Sequence, residues 1–412
     1  MRRIIAVVAA ACVLVAFGCD EDIQQPGITQ LPRDLEAGEQ QLIQADNSFG
    51  LKLFREIHAE EPDGSNIFIS PLSVAMALGM AYNGADGTTQ QAMQETLELQ
   101  GMSLDEVNRS YRSLIDLLAN LDPSVHWTLA NSIWYREGFP AEQDFLDVNA
   151  EFFDAEVTPL DFDDPGAPGT INDWVNDKTN GRIAEIVDVI PPEIVMYLIN
   201  AIYFKAAWTT QFDPALTHSA NFNLKDGSMV QVPMMTHGSE IGLHTYFEPG
   251  VLIADLPYGG QAYSMTIVLP DYGRDIDSLI AALDAESWQG WMDGLSANEM
   301  QVYLPKFTLE YEIELGDALK ALGMSIAFDP VAADFTKIYN GGLGNLFISR
   351  VKHKTFVDVN EEGTEAAAVT SVEVGITGMP PTVIVDRPFL FAIRERLSGT
   401  IVFMGVIQNP VR

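Results

Sequence analysis

The residue types that carry enzyme chemistry are scattered along this chain of 412 residues. No two of the six histidines lie within four residues of each other, so the usual spacing of a zinc site is absent. The sequence also lacks the Gly-x-Ser-x-Gly turn of many hydrolases and the glycine-rich loops that bind nucleotides. These patterns predict that the protein is not an enzyme and uses neither a metal nor a cofactor. A hydrolase with an unfamiliar site stays open as an alternative.

Residues 356–374 (FVDVNEEGTEAAAVTSVEV) have a different kind of chemistry, because they can join a β-sheet as an added strand. Successive side chains of a strand point to opposite faces. The face that could be buried carries no charge and consists of Thr364, Ala366, Ala368, Thr370, Val372 and Val374. An alanine-rich helix is the alternative, but the residues that follow 365–369 favour a strand. Glycine and two prolines within 378–381 end the insertable part near Thr377.

Residues 1–18 have the pattern of an export signal, with Arg2 and Arg3 ahead of an apolar run of fifteen residues. At about 1.5 Å per residue this run would span roughly 22 Å, less than the ~30 Å hydrocarbon core of a bilayer. The sequence at 16–19 resembles a bacterial lipobox, which predicts a lipid on Cys19; ordinary signal cleavage is the alternative. Residues 19–44 would form a flexible tether. The protein is expected in the cell envelope or outside the cell, with a lipid anchor as its one contact with the membrane.

Removal of the signal leaves 21 basic and 58 acidic residues, a net charge of −37. Nucleic acids and anionic polysaccharides bind to clusters of Lys and Arg, so neither is an expected partner. The region 88–121 has only Arg109 and Arg112 as basic residues, and activation by heparin is therefore not expected. Cys12 lies in the signal, so the mature chain would have no disulfide and would depend on packing for its stability.

Hydrophobic periodicity predicts helices early in the chain and mostly strands later. The predicted helices lie at 45–60, 74–82, 88–99, 104–121, around Trp174 and at 315–322, and Ser73 is predicted to cap the second. The predicted strands lie at 66–71, 126–135, 196–204, 221–224, 230–235, 241–246, 251–257, 264–269, 300–307, 346–359 and 383–406. Because the order has no βαβ rhythm and no internal repeat, we expect one α+β domain at 45–412 with several mixed sheets.

Six ordered motifs resemble those of serpins, a family of serine protease inhibitors, and the resemblance covers residues 45–410. The motifs are NIFISPLS at 66–73, NAIYFK at 200–205 with Trp208, VPMM at 232–235, LPKF at 304–307, His353-Lys354 with VNEEGTEAAA at 359–368, and DRPFLF at 386–391. The resemblance implies a monomer with the serpin fold. In that fold three mixed β-sheets are surrounded by about eight or nine helices, and a reactive loop at about 361–385 is exposed.

In serpins the reactive loop is a bait. The resemblance implies that a protease cuts the loop and forms an acyl-enzyme, and that the cut loop then inserts into the central sheet and deforms the attached protease. The family's spacing places the reactive bond between Thr377 and Gly378, with Ile376 as an alternative primary residue. The hinge through which the loop enters the sheet would consist of Glu362, Gly363, Thr364, Glu365, Ala366, Ala367 and Ala368.

The resemblance also assigns residues that control the opening of the sheet. A shutter would comprise Ser70, Ser73, Asn200 and His353, and a breach, where the loop first enters, would contain Trp208. Simpler structural roles are the alternatives. The two serines could be helix caps, His353 a hydrogen-bonded core histidine, and Trp208 an ordinary core residue.

The bait's own chemistry indicates its target. No Lys or Arg occurs between Gly363 and Asp386, so a trypsin-like pocket would find no partner. The residues 374–377 are small and mostly β-branched, which suits elastase-like or subtilisin-like serine proteases; a papain-like cysteine protease stays open. The small residues of the hinge favour an inhibitor. A non-inhibitory serpin that acts as a surface binding or structural protein, and is cut as a plain substrate, is the alternative.

Overall fold

Helices dominate the first part of the chain, as the hydrophobic pattern predicts. The computed structural model describes residues 27–342, 345–364 and 381–412. Within these residues the α-helices are α1 (Ala37–Glu60), α2 (Pro71–Gly84), α3 (Gly87–Thr96), α4 (Leu104–Asn120), α5 (Gln143–Phe153), α6 (Ala167–Lys178), α7 (Ile276–Ala281), α8 (Ala285–Gly294) and α9 (Gly316–Leu319). This count agrees with the eight or nine helices that the resemblance implies.

The strands of the described residues form three sheets, as expected. They are β1 (Ile67–Ile69), β2 (Val125–Arg136), β3 (Ala155–Leu160), β4 (Met196–Ala207), β5 (His218–Asn223), β6 (Met229–Thr236), β7 (Ile241–Glu248), β8 (Val251–Tyr258), β9 (Tyr263–Pro270), β10 (Ser296–Pro305), β11 (Phe307–Glu314), β12 (Lys352–Val359), β13 (Gly363–Thr364), β14 (Thr382–Ile384), β15 (Phe389–Glu395) and β16 (Ile401–Ile407). The central sheet has the order β11-β12-β13-β4-β2-β3, and the parallel pair β2 and β3 makes it mixed.

The long strand β10 joins the other two sheets. Its first half, Ser296 to Met300, pairs with β7 and extends the order β1-β16-β15-β9-β8-β7. Its second half, Tyr303 to Pro305, pairs with β6, which in turn pairs with β5, and β14 lies parallel on its other side. Every pair between strands of the first of these sheets is antiparallel. The expectation of three mixed sheets is therefore wrong for this one.

The main core lies between the helices α1 and α2 and the buried strands β15 and β16. All seven residues of each of these two strands are buried. β16 is apolar throughout, whereas β15 ends in the buried charged residues Arg394 and Glu395. The ring of Phe68 in β1 is stacked against Phe391 and Phe403, with ring centroids 5.6 and 5.1 Å away. A second apolar cluster, which includes Trp134 and Ile171, lies where α6 packs against the central sheet.

The start of α2 corrects the prediction of its cap. Ser70, not Ser73, is the N-cap, and its Oγ accepts a hydrogen bond from the backbone N–H of Ser73 at 3.2 Å. Pro71 occupies the first turn, where the fixed φ of proline suits a helix and its missing N–H has no cost. The sequence pattern treated Pro71 as the end of a strand, and for that reason placed the cap three residues too late.

The amino-terminal boundary also differs from the prediction. Helix α1 begins at Ala37, so residues 37–44 are helical and do not belong to the tether. Leu42 and Ile43 are buried in the core, and the Glu39 carboxylate accepts the N–H of Glu36 at 2.7 Å. Cys19 and the signal segment lie outside the described residues. No described helix is long and apolar enough to cross a membrane.

A buried carboxyl group lies between α1 and α4. Asp46 is 3% exposed; the Tyr111 hydroxyl donates to its Oδ1 atom at 2.8 Å, and its Oδ2 atom has no hydrogen-bond partner in the described structure. Burial raises the pKa of Asp46 to about 7, against the lowering effect of the Tyr111 hydrogen bond. The folded protein therefore holds this proton over a pH range in which the unfolded chain has already released it.

We expect the substitution Asp46→Asn to stabilise the protein at neutral and alkaline pH. The pKa is raised in the fold, so wild-type stability is lost as pH rises from the ordinary value of 3.8 to about 7, by about 1.4 kcal/mol per unit. Thermal unfolding from pH 4 to 9 should show the variant's advantage growing up to pH 7 and then staying constant. The exposed control Asp105→Asn should follow the wild type; parallel profiles for wild type and Asp46→Asn would contradict the assignment.

Candidate functional site

The first residues of the predicted loop already lie in the central sheet. In β13, Gly363 pairs with Ala207 and Thr364 pairs with Ala206 of β4, while Thr364 also pairs with Val359 of β12. The turn before β13 is closed by hydrogen bonds in both directions between the backbones of Asn360 and Gly363, at 3.0 and 3.3 Å. The chain thus enters between β12 and β4 through a two-residue strand.

Only glycine fits at position 363. Its φ is 153°, which side chains rarely allow, and a Cβ atom there would lie 2.1 Å from the carbonyl oxygen of Ala206. Because that neighbour is backbone, it cannot turn aside as a side chain could. The sequence predicted Gly363 as a flexible pivot, and the structure adds that the close approach of β4 requires it.

Thr364 points into the protein. It is 3% exposed, and its Oγ1 atom lies 2.8 Å from the hydroxyl oxygen of Tyr258 at the end of β8. Burial raises the pKa of Tyr258, so the hydroxyl keeps its proton and can donate it to Thr364. The sequence predicts that Thr364 belongs to the buried face of the alternating segment, and the structure agrees. Thr364 is the one residue of that face within the described residues.

Trp208 fastens the turn that leads into β13. Its indole Nε1 donates to the carbonyl of Asn360 at 2.9 Å, and its backbone N–H donates to the carbonyl of Glu362 at 2.9 Å. The ring is 3% exposed and stacks on Tyr258 with centroids 4.4 Å apart. Trp208 thus lies at the hinge, as a breach residue would, and also fills the core, as the alternative had it.

An ion pair holds the same turn from its other side. The Glu361 carboxylate accepts from the Lys306 ammonium at 2.7 Å and from the Thr217 hydroxyl at 2.8 Å, and the Phe212 N–H donates to its backbone carbonyl at 2.9 Å. Burial raises the pKa of Glu361, but the bonds from Lys306 and Thr217 outweigh it and leave the pKa below its ordinary value. Two side chains and one backbone N–H thus anchor the turn.

Two of the predicted shutter residues bind each other directly. The backbone N–H of Ser70 donates to Nε2 of His353 at 3.0 Å, and the Ser70 hydroxyl donates to the carbonyl of Val402 at 2.7 Å. Burial lowers the pKa of His353 to about 4, which keeps Nε2 unprotonated and able to accept. Ser73 joins this group through its backbone N–H, which donates to Ser70.

Asn200 lies apart from that group, on β4. Its Nδ2 donates to Oδ1 of Asn131 in β2 at 2.7 Å, and Asn131 in turn donates to the carbonyl of Phe153 at 2.6 Å. The Oδ1 atom of Asn200 is buried without a hydrogen-bond partner in the described part of the chain. The four predicted shutter residues therefore form two groups, one attached to β12 and one to β4.

A narrow cleft lies between β4 and β12, just beyond Thr364. Residues of both strands line it, together with the segment after α6; these lining residues include Ile202, Phe204, Val357, Phe356, Thr179 and Ile183. Within the described residues, no cluster of three or more His, Cys, Asp or Glu could hold a metal ion. The lining also includes Arg182, Tyr203 and Asp358, so the cleft is a seam of mixed polarity in the sheet.

Several predicted site residues lie outside the described residues. They are Glu365, Ala366, Ala367 and Ala368 of the hinge, Thr377 and Gly378 of the reactive bond, and Cys19. The structure in turn adds residues that sequence reasoning missed, namely Tyr258, Glu361, Asn131, Thr217 and Lys306. Lys306 and Glu361 stand within or beside quoted motifs and could have been found there, whereas Tyr258 has no local signal because its role depends on the packing of β8 against the hinge.

Comparison with known proteins places the chain in a family. The family model named Serpin, serine protease inhibitor, matches residues 44–410. The chain belongs to the serpin family. Human neuroserpin is 34% identical over 372 residues, which cover 87% of this serpin and 90% of that protein. An uncharacterised serpin-like protein of Thermococcus kodakarensis is 33% identical over 100% of this chain and 99% of its own.

Solved structures support the same assignment. The crystal structure of the thermophilic serpin tengpin in its native state matches with a TM-score of 0.82 at 35% identity, over 92% of this chain and 95% of that chain. The predicted serpin fold is therefore confirmed. The protein belongs to a family of protease inhibitors, and proteases are the partners that such proteins have.

The substitution Gly363→Ala is expected to release β13 from the sheet, because its Cβ would overlap the Ala206 carbonyl. Hydrogen–deuterium exchange should become faster at the amides of Trp208 and Thr364. Gly169→Ala is the matched control, since a Cβ at that helical position meets no atom within 4 Å. Unchanged exchange at the hinge in Gly363→Ala would show that the close approach to β4 is not a constraint.

Proposed function

We propose that this serpin is a suicide-substrate inhibitor of elastase-like or subtilisin-like serine proteases, which it traps by inserting its cut loop into the central sheet. The observation that carries the proposal is the position of Gly363 and Thr364, which already pair between β12 and β4. A cut loop could continue from this start as a full strand, with no change of register.

The register of β13 supports this role for the residues that follow. Extended along β4, it would place Ala366 opposite Phe204, Ala368 opposite Ile202 and Thr370 opposite Asn200. Extended along β12, it would place Thr370 opposite His353. The side chains facing the core would then be those that the alternating pattern leaves small or uncharged. The two separate shutter groups would meet across Thr370 in the inserted form.

The proposed trap begins as an ordinary acyl transfer. The serine oxygen of the protease would attack the carbonyl carbon of Thr377, the amine of Gly378 would leave with a proton, and an ester would link the protease to Thr377. Insertion of the fourteen residues 364–377 would then carry this ester about 46 Å, at roughly 3.3 Å per residue. The protease would be deformed against the body of the inhibitor before water could hydrolyse the ester.

The proposed specificity follows from the residues at 374–377, Val-Gly-Ile-Thr. Small and β-branched side chains fit shallow apolar pockets, and a trypsin-like pocket with a buried aspartate would find no cation there. One of the similar crystal structures is that of native protease nexin-1 with heparin. In the present chain, the two arginines of α4 are already paired, Arg109 with Asp105 and Arg112 with Asp116 and Asp154. This supports a protein that is not regulated by heparin.

We further propose that the protein is exported and anchored to a membrane by a lipid on Cys19. The support is the pattern of residues 1–19 and the polar stretch that follows. Mass spectrometry of the amino-terminal peptide from the native source would test this. A diacylated Cys19 is the expected result, and an unmodified mature terminus would favour ordinary secretion.

The substitution Ala366→Arg is expected to convert the inhibitor into a substrate. Its charge would face the core in the inserted strand, and a buried unpaired charge costs several kcal/mol. Ala367→Arg is the matched control, because the same change one residue later would point to the opposite face. On denaturing gels with elastase, the first variant should be cut without a covalent complex and the second should form one. Equal complex formation by both would refute loop insertion.

Pancreatic elastase, subtilisin and trypsin would test the proposed function itself. The mature protein should give a covalent band with at least one of the first two, and mass spectrometry should locate the cut after Thr377. Trypsin should give neither. Cleavage by elastase and subtilisin without any complex would assign the protein to the non-inhibitory serpins.

A further inference from the structure

The segment ahead of α1 is fixed to the body of the protein. The backbone N–H of Ile28 donates to the carbonyl of Gly260 at 2.7 Å, and the half-buried side chains of Ile28, Leu31 and Leu35 pack against the main core. The Arg33 guanidinium donates to the Glu39 carboxylate and, at 2.7 Å, to the hydroxyl of Ser113 in α4. We call residues 27–36 the strap.

The strap leaves the body beside the hinge. Gly260 belongs to the turn after β8, and the neighbouring Gly259 donates its N–H to the carbonyl of Ala207 at 2.8 Å. Ala207 is the residue that pairs with Gly363. Gly27, the first described residue, therefore lies at the pole of the molecule where the reactive loop starts.

The remaining chain is short compared with the protein. Eight residue-to-residue steps lead from Gly27 back to Cys19, and at most about 3.5 Å for each step gives a reach of roughly 28 Å. A domain of this size has a radius of gyration of about 21 Å and a diameter of about 55 Å. Because the reach is shorter than the diameter, the attachment point decides which pole faces the membrane.

We propose that the anchored protein presents its reactive loop toward the membrane and therefore selects proteases attached to the membrane surface over proteases in free solution. This inference rests on the proposed inhibitory function and on the lipid anchor at Cys19. A soluble protease of about 230 residues has a diameter of about 45 Å, more than the gap that the tether allows. A protease that is itself bound to the membrane, with its active site near the surface, meets the loop from the side.

The chain offers a direct test, because Cys19 would be the only cysteine after removal of the signal. Residues 19–412 are coupled through this thiol to a maleimide lipid in zwitterionic vesicles, a choice that avoids repulsion of the acidic protein. The matched control is the double variant Cys19→Ser, Val189→Cys. Val189 is 73% exposed and follows Asp188, which contacts Lys352 at the end of β12 far from the hinge. The control therefore attaches the opposite pole.

The measured quantity is the rate constant for cleavage of the loop by soluble elastase. We expect coupling through Cys19 to slow cleavage at least tenfold relative to the free protein, and coupling through residue 189 to change it less than twofold. Thirty Gly and Ser residues inserted between Gln24 and Gln25 should restore the free rate. Equal rates at the two attachment points, or no effect of the spacer, would overturn the proposal.

A further variant tests the strap separately. The double substitution Ile28→Pro, Leu31→Asp removes the N–H that Gly260 accepts and places a charge against the core. This variant should have a longer free tether, and on vesicles it should recover most of the cleavage rate of the free protein. The cleavage rate of the uncoupled protein should not change. The readout is cleavage and not complex formation. A protein that is cut without trapping elastase would therefore refute the inhibitory function and leave the test of orientation intact.

Discussion

The central sheet has to be closed against water and yet able to admit one more strand, and this constraint governs the layout of the polar groups around it. Strand β4 pairs with β2 along eleven positions and β12 pairs with β11 along eight. Among the described residues, the two-residue strand β13 is the only strand between these pairs. The pair β4–β2 and the pair β12–β11 thus meet at a seam, and β13 joins them by backbone pairing at one end of it.

The side-chain hydrogen bonds of the predicted shutter residues do not cross that seam. His353 ties β12 to the start of α2 through the Ser70 N–H, and Asn200 ties β4 to β2 through Asn131. Neither hydrogen bond crosses from β4 to β12, so separation of the strands would not break either one. The hydrogen bond and the ion pair at the hinge have a different role. Trp208 and Glu361 fix the turn at 360–362, which keeps the start of the loop aligned with the seam.

Much of this could be predicted from the sequence, because long apolar periods and ordered motifs carry the fold. Strand β4 and helix α4 lie within a few residues of their predicted bounds, and the alternation after Gly363 indicated the buried face. The misses have physical causes. Strand β11 was missed, because only Lys306 separates it from β10 and the prediction saw a single strand that ends at Phe307. Helix α1 was started late because residues 37–41 have no large apolar side chain. Tyr258 was missed because its hydroxyl matters only where β8 meets the hinge.

One buried acceptor of the described structure would gain a hydrogen-bond partner if a strand were inserted at the seam. Buried polar atoms without a partner cost about 1–3 kcal/mol, and Asn200 has such an atom in Oδ1 within the described structure. The register of β13 would bring Thr370 directly opposite Asn200, on the face where Thr364 already donates or accepts a bond with Tyr258. A threonine hydroxyl there could donate to Oδ1, whereas the alanines at 366 and 368 would face the apolar Phe204 and Ile202. In the inserted strand, threonine hydroxyls would thus face polar partners and alanine methyl groups would face apolar ones. Insertion would give Asn200 Oδ1 a hydrogen-bond donor that the described structure lacks.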